Sequence, residues 1–435
     1  MDSIGSNQFF RLVAKVPTAI LVVVLMALVF GHSSRTFSRV TTPGVFDNFE
    51  RGFVDFHNAI HFPTKSFLGG NNPYSREYVE NHPDKRTFPL FPPHSLIIHA
   101  PFGVGSIENS RVIYWLFELA TATCLLMLIE WIILRQVTLR GFLYLGIALM
   151  VSIPLYTSFY MGQLTLQLVL GTALALHYSK TKPWLAIIGL TLAACKPQFG
   201  IPLAILLLCR RDWKTAIGGG LLSAALSVLA IAIIASNFGL GNFVEEIQSV
   251  YLGFDSHPDV GTAIDNGWRL DIYPVVARFL TTEGEMPVWS KFLIPVMYLA
   301  IGGLGVFLLR NDRDADPVSN MIICLTCLGC IYHSVYDGVL LLWPAAAIYC
   351  SRAEIWTRIN LNVRWLMLLI LVFLMVNVFH LEGVQTKLGI FDPNLTSWRI
   401  VASFGAIGIA VLMLVSVGLA TKLSLQTSKQ GVDSA

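Results

Sequence analysis

The sequence predicts an all-α polytopic membrane protein, with roughly 12 helices crossing a bilayer and long outer loops carrying short interfacial helices. Three observations predict this. Of the 435 residues, 54% are hydrophobic and 13% charged, against about 25% charged in soluble domains. Runs without Asp, Glu, Lys or Arg recur at lengths near the ~20 residues needed to cross about 30 Å of hydrocarbon. Lys and Arg collect in every second connection, as they do on the cytoplasmic side of membrane proteins.

In chain order the runs are 16–34, 112–134, 141–158, 163–179, a divided stretch 183–209, then 215–238, 292–309, 318–332, 338–351, 365–381 and 400–421. The first follows Arg11 and Lys15, is long enough to span, and has no small-residue cleavage site, so it reads as a retained helix. Glu118 and Glu130 lie near the ends of the second, where a carboxylate is tolerated. The stretch 183–209 is broken by Lys196-Pro197. Proline removes a helix donor and lysine resists hydrocarbon, so a helical hairpin or broken helix turning at depth is expected.

With that hairpin counted twice, the basic connections alternate without exception. Arg135 and Arg140, Lys180 and Lys182, Arg210, Arg211 and Lys214, Arg310 and Arg313, Arg352, Arg358 and Arg364, and Lys422 fall inside. The two long connections, 31–111 and 239–291, fall outside. Loops longer than about 15 residues usually carry function, so chemistry is expected on the outer, extracytoplasmic face of a plasma (inner) membrane. Residues 1–423 read as one transmembrane domain and the polar stretch 424–435 as a disordered cytoplasmic tail.

Charge and cysteine usage exclude other classes. With 30 basic and 27 acidic residues and no basic block, nucleic acid is not an expected partner. Cys324, Cys327 and Cys330 recur every three residues, but no His, Asp or fourth Cys shares their helix. They read as packing residues, and neither a metal nor a cofactor is expected.

A few polar residues recur at the outer ends of the helices, where ionisable groups are costly unless paired or wet. Asp55 lies among bulky neighbours in Gly52-Phe-Val-Asp-Phe-His-Asn58. It suits proton abstraction from a hydroxyl, or it caps a short helix; Asp47 competes for the role. Lys196, flanked by apolar stretches, needs an anion such as a lipid phosphate, or snorkels to the interface. Arg269 and Arg278 are further phosphate candidates or ordinary loop arginines. His333 and Asp337, four apart, share a face if helical and could orient substrate, move a proton, bind a divalent ion or close a helix end. His57, Tyr74 and Gln163 complete the group.

These residues sit in Val54-Asp55-Phe56, Gly70-Asn-Asn-Pro-Tyr74, Phe91-Pro-Pro93, Ala100-Pro-Phe102, Met161-Gly-Gln163, Cys195-Lys-Pro197, Arg210-Arg-Asp-Trp213 and Tyr332-His-Ser-Val-Tyr-Asp337. In order, spacing and sidedness they resemble the polyprenyl-phosphate-sugar-dependent glycosyltransferases of the GT-C superfamily, in particular the α-mannosyltransferase-like glycosyltransferase family 87. The resemblance implies a GT-C-like bundle that moves a hexose, mannose first among the candidates, from a polyprenyl-phosphate donor to a glycan or glycolipid hydroxyl. Asp55 would be the general base, with substrate contacts from His57, Tyr74, Gln163, Lys196, Arg269, His333 and Asp337. One departure is Asp265-Asn-Gly-Trp-Arg-Leu-Asp271, where such relatives often carry an Asn-Gln-Ser-like stretch. The rival class is a transporter or lipid flippase using Lys196, His333 and Asp337 for coupling; a noncatalytic membrane scaffold is a third.

Overall fold

The computed structural model describes residues 16–42, 51–82, 91–255, 266–281, 286–287, 289–312, 314–350, 356, 359–390, 392 and 395–433. Asp47 lies outside the described residues. The principal helices are α1 (Thr18–Ser38), α2 (Ile107–Leu134), α3 (Leu139–Met150), α4 (Ile153–Met161), α5 (Thr165–Tyr178), α6 (Pro183–Ala193), α7 (Pro197–Cys209) and α8 (Trp213–Phe238). They continue as α9 (Leu240–Asp255), α10 (Ile272–Leu280), α11 (Ser290–Leu309), α12 (Asp316–Cys330), α13 (Leu342–Cys350), α14 (Leu361–Val376) and α15 (Thr396–Asp433).

Each expected apolar run is helical, but not every run is a full-length span. Among the described residues, six helices are long and apolar enough to cross a membrane, or seven if α3 and α4, bent by 73°, count as one span. The run 141–158 is thus a bent pair, with Ser152 accepting from the Leu155 amide to cap α4. Helices α5, α6, α7 and α12 are 11 to 15 residues long. At 1.5 Å per residue these reach only about 17 to 23 Å, short of the hydrocarbon thickness. Burial inside the bundle accounts for this: 12 of the 15 residues of α12 are buried, including Cys324, Cys327 and Cys330. All seven cysteines are free, and the described residues contain no cluster of His, Cys, Asp and Glu able to hold a metal.

The stretch around Lys196 turns back on itself. Gly171 of α5 and Gly189 of α6 cross backbone to backbone; a Cβ on either would meet the other's carbonyl oxygen within 2.6 Å. Only small residues allow such an approach between apolar helices. Pro197 opens α7 in its first turn, where its missing N–H has no intrahelical partner to lose. The helices α5, α6 and α7 therefore run down, up and down. Lys196 stands at one end, with Thr165. Arg210 stands at the other, donating to Leu176 O, Ser179 Oγ, Asn320 Oδ1 and Asp212 Oδ2. Lys180 and Asp316 meet at that second end.

Glu118 and Glu130 are both buried within α2. Glu130 closes the turn to α3 by accepting from Thr138 N and Oγ1 at 2.9 and 2.6 Å. The last helix runs on to Asp433, across the segment expected from 424 to be a disordered tail. That segment has no proline and its first glycine is Gly431, so nothing in it breaks a helix already propagating from the bundle.

Candidate active site

The base of the site is a short segment held from two sides. At the end of α1, Gly52 N donates to Arg39 O at 2.8 Å and Thr41 N donates to Gly52 O at 2.9 Å. A side chain at Gly52 would meet Arg39 O and Thr36 O at 2.5 and 2.6 Å, so glycine is required. From the other side, Phe53 N donates to Tyr160 O at 2.8 Å. Phe53 adopts a left-handed φ of 60° to make this fit, a strained backbone two residues before Asp55. Gly162 follows with φ 71°, and a Cβ there would strike Phe56 Cβ at 2.7 Å. The turn between α4 and α5 is thus pressed against the segment that carries Asp55.

Asp55 stands at the start of a π-helical turn, Phe56–His61, but makes no cap bond to it. Its Oδ2 instead accepts from Gln163 Nε2 at 2.5 Å. Burial raises the Asp55 carboxyl to about 6, against the Gln163 hydrogen bond and the charges of Lys196 and Arg51, which pull it down. A carboxyl so placed is half protonated near pH 6 and mostly ionised at pH 7, poised to act as a base.

Beside it lies a buried ionic cluster. Lys196 Nζ donates to both oxygens of Asp337, at 2.8 and 3.1 Å. Asp337 also accepts from His333 Nδ1 at 2.8 Å and from Thr165 Oγ1 at 3.2 Å. Lys196 sits over the Tyr336 ring at 4.8 Å. His333 and Asp337 do not share a helical face as the spacing suggested. His333 precedes a 3-10 helix, Val335–Leu341, and Asp337 is the third residue of a capping box with Ser334. The second long connection joins by a short antiparallel bridge, with Leu270 N donating to His333 O and Val335 N to Trp268 O. There Arg269 makes a two-pronged pair with Asp271, at 2.9 and 2.7 Å, and lies over the Tyr332 ring at 4.8 Å.

Asp55, Gln163, Lys196, Arg269, His333 and Asp337 therefore gather at one end of the bundle, while Arg210 and Lys180 mark the other. Two sequence candidates do not join them. His57 accepts from Arg111 Nε at 2.8 Å and lies stacked on Phe53; burial, with Arg111 beside it, pushes it down to about 3. Tyr74 donates to Phe91 O at 2.8 Å and packs in a separate apolar cluster with Phe67, Leu96, Ala230, Ile234 and Phe243. Both act as ties that fix the first outer loop. Arg278 is likewise structural, donating to Ala402 O, Ser403 Oγ and Asn266 O.

Sequence reasoning missed Thr165 and Tyr336. Tyr336 lies under the Lys196 ammonium at 4.8 Å, and its place inside the Tyr332–Asp337 motif was the available signal. Thr165, two residues after Gln163, had none, since that spacing does not mark one face of a helix.

The family model of glycosyltransferase family 87 matches residues 90–331, more than half of the chain. The chain belongs to glycosyltransferase family 87. No curated protein and no solved structure matches it. This family 87 member is an enzyme, a transferase acting on a sugar donor and an acceptor, and the coupling role weighed for Lys196, His333 and Asp337 in a transporter gives way to that. The match includes Gln163, Lys196 and Arg269 and ends before His333; Asp55 precedes it.

Proposed function

We propose that this glycosyltransferase moves mannose from a polyprenyl-phosphate donor to a hydroxyl of a lipid-linked or glycan acceptor. We place the reaction at the extracytoplasmic face of the plasma membrane, in a GT-C-like bundle, with Asp55 as general base. One observation carries the reading. In a family 87 member, a recessed carboxylate raised to about 6 adjoins a Lys196–Asp337–His333 cluster at one end of the bundle.

The chemistry follows from that arrangement. Gln163 occupies Oδ2 of Asp55, leaving Oδ1 to take the acceptor's proton. As the acceptor oxygen bonds to the anomeric carbon, the bond from that carbon to the phosphate oxygen breaks and its electron pair leaves with the phosphate. A phosphate leaving group needs no strong general acid, so one base and nearby positive charge suffice. Lys196 and Arg269 supply that charge, each tempered by its aspartate. A single displacement inverts the anomeric centre, so a β-linked donor gives an α product.

The test is to supply the purified protein in lipid with a panel of polyprenyl-phosphate sugars and several acceptors. Consumption of the mannose donor is expected, with an α linkage by NMR and a loss of roughly 10²- to 10⁴-fold in Asp55→Asn. Consumption of no donor, or full activity in a folded Asp55→Asn, ends the reading.

A further inference from the structure

The charges of Lys196 and Arg269 are already shared with Asp337 and Asp271. Lys196 is only 5% exposed with both its hydrogen bonds going to Asp337, so a lipid-borne phosphate has use for a further, uncommitted cation. Another pair of cations lies beside the base. Arg35 lies in the last turn of α1 and Arg39 is the residue that ends it, four positions on, and the charges of both bear on Tyr156. Both are exposed, and among the described residues neither has a carboxylate within ion-pair distance.

Arg35 lies over the rings of Tyr156 and Tyr160, at 5.2 and 6.0 Å. Those two rings are parallel within 2° and face each other at 6.2 Å. Arg39 is held to the base segment by its own carbonyl, which accepts from Gly52 N, and its charge bears on Tyr156. Tyr160 completes the link: its hydroxyl accepts from Arg51 N at 3.1 Å and its carbonyl from Phe53 N at 2.8 Å. The patch is therefore rigidly joined to Asp55.

Its position is also unusual. Helix α1 is largely unburied, with Val23, Met26 and Phe30 at 66%, 67% and 74% exposure, so it lines the outside of the bundle. Its far end, where Arg140 Nε donates to Thr18 Oγ1, belongs with the other basic connections. Arg35 and Arg39 close the other end of this 21-residue candidate span, and the ends of a crossing of about that length fall at the membrane interface.

We propose that Arg35 and Arg39, backed by Tyr156 and Tyr160, form a recognition site for a phosphate ester presented from the membrane interface beside Asp55. Guanidinium groups match phosphate oxygens with paired, charge-assisted hydrogen bonds, and the tyrosine faces keep Arg35 in place when the site is empty. Two sources share this chemistry, the phosphate of a polyprenyl-linked donor and the headgroup of an anionic phospholipid. The proposal rests on the lipid-linked-donor reading above.

The test reads binding and needs no turnover, so it stands or falls apart from sugar transfer. Farnesyl phosphate is titrated into the full-length protein in nanodiscs of phosphatidylcholine. Saturable binding is expected, weakened about tenfold or more in the Arg35→Gln/Arg39→Gln double variant. Arg35→Lys/Arg39→Lys keeps the charge and is expected to retain most of the binding; Arg140→Gln, at the other end of α1, is expected to retain all of it. Binding that survives phosphatidylglycerol in the nanodisc assigns the site to the donor phosphate, and binding displaced by it assigns the site to a headgroup; both support the proposal. No saturable binding by the unaltered protein, a monodisperse double variant that binds like it, or equal weakening by Arg140→Gln overturns the proposal.

Discussion

Replacing Gln163 by leucine separates a residue that tunes the base from one that only shapes the sugar cavity. The Asp55 carboxyl stands near 6 because burial outweighs the hydrogen bond from Gln163 and the charges of Lys196 and Arg51. The active form is the carboxylate, so kcat/KM rises with pH through about 6 and levels off above 7. Leucine fills similar space but donates nothing. A hydrogen bond to a charged group contributes about 1.5–3 kcal/mol, and one pH unit corresponds to about 1.36 kcal/mol, so the carboxyl rises by about 1 to 2 units in Gln163→Leu. The acid limb of the pH profile moves up by that amount, and near pH 6 the variant runs at about a fifth to a fiftieth of the unaltered rate, recovering by pH 9. The measurement is kcat/KM for sugar transfer from pH 5 to 9 on both proteins. A limb that stays in place while only the plateau drops refutes the tuning role and leaves Gln163 as a substrate contact.

Asp55 also costs the fold stability. Its folded value of about 6 lies above the ordinary aspartate value of 3.8, so its contribution is fully present below about 4 and lost as pH rises through 6. Asp55→Asn is therefore expected to melt higher than the unaltered protein at pH 7, by up to about 3 kcal/mol, and the gap should close at pH 4; an equal or lower melting point at pH 7 contradicts it. His57 acts in the opposite sense, since its folded value of about 3 lies below the ordinary histidine value of 6.5. It favours the fold above 6.5 and progressively less on acidification, so Arg111→Met, which removes one of the charges holding it down, should soften the acid-side loss in a melting series from pH 4 to 7. Asp337→Asn strands Lys196 in the interior and should cost about 3–5 kcal/mol, whereas Lys196→Met/Asp337→Leu should recover much of it; chemical denaturation in detergent compares the three. Gly162→Ala meets both a left-handed backbone and Phe56 Cβ, and should destabilise by about 1–3 kcal/mol while abolishing the Asp55–Gln163 contact; activity falling no further than stability explains would count against that geometry.

The helical bundle was legible because the bilayer imposes a length and composition on each crossing. The break at Lys196-Pro197 was legible for the same reason, since proline and a cation cannot continue a helix through hydrocarbon. Helix lengths within the bundle were not. A run such as 318–332 reads as a span by composition alone, but α12 is 15 residues long and is covered by neighbouring protein. Nor did spacing reveal how His333 and Asp337 meet, because a capping turn and a helical face bring residues four apart together equally well.

The separation at the site is sharper still. Sequence determined which residues are expensive, Asp55, Lys196 and Asp337 among them, because local composition sets the cost of burying a charge. Only the tertiary structure decided their partners. Lys196 is matched by an aspartate 141 positions away and Asp55 by a glutamine 108 positions away, while His57 and Tyr74, equally prominent in the sequence, tie down a loop. Pairing is a matter of distance in space, and the turns at Gly52, Phe53 and Gly162 that set those distances act through backbone contacts that composition does not encode.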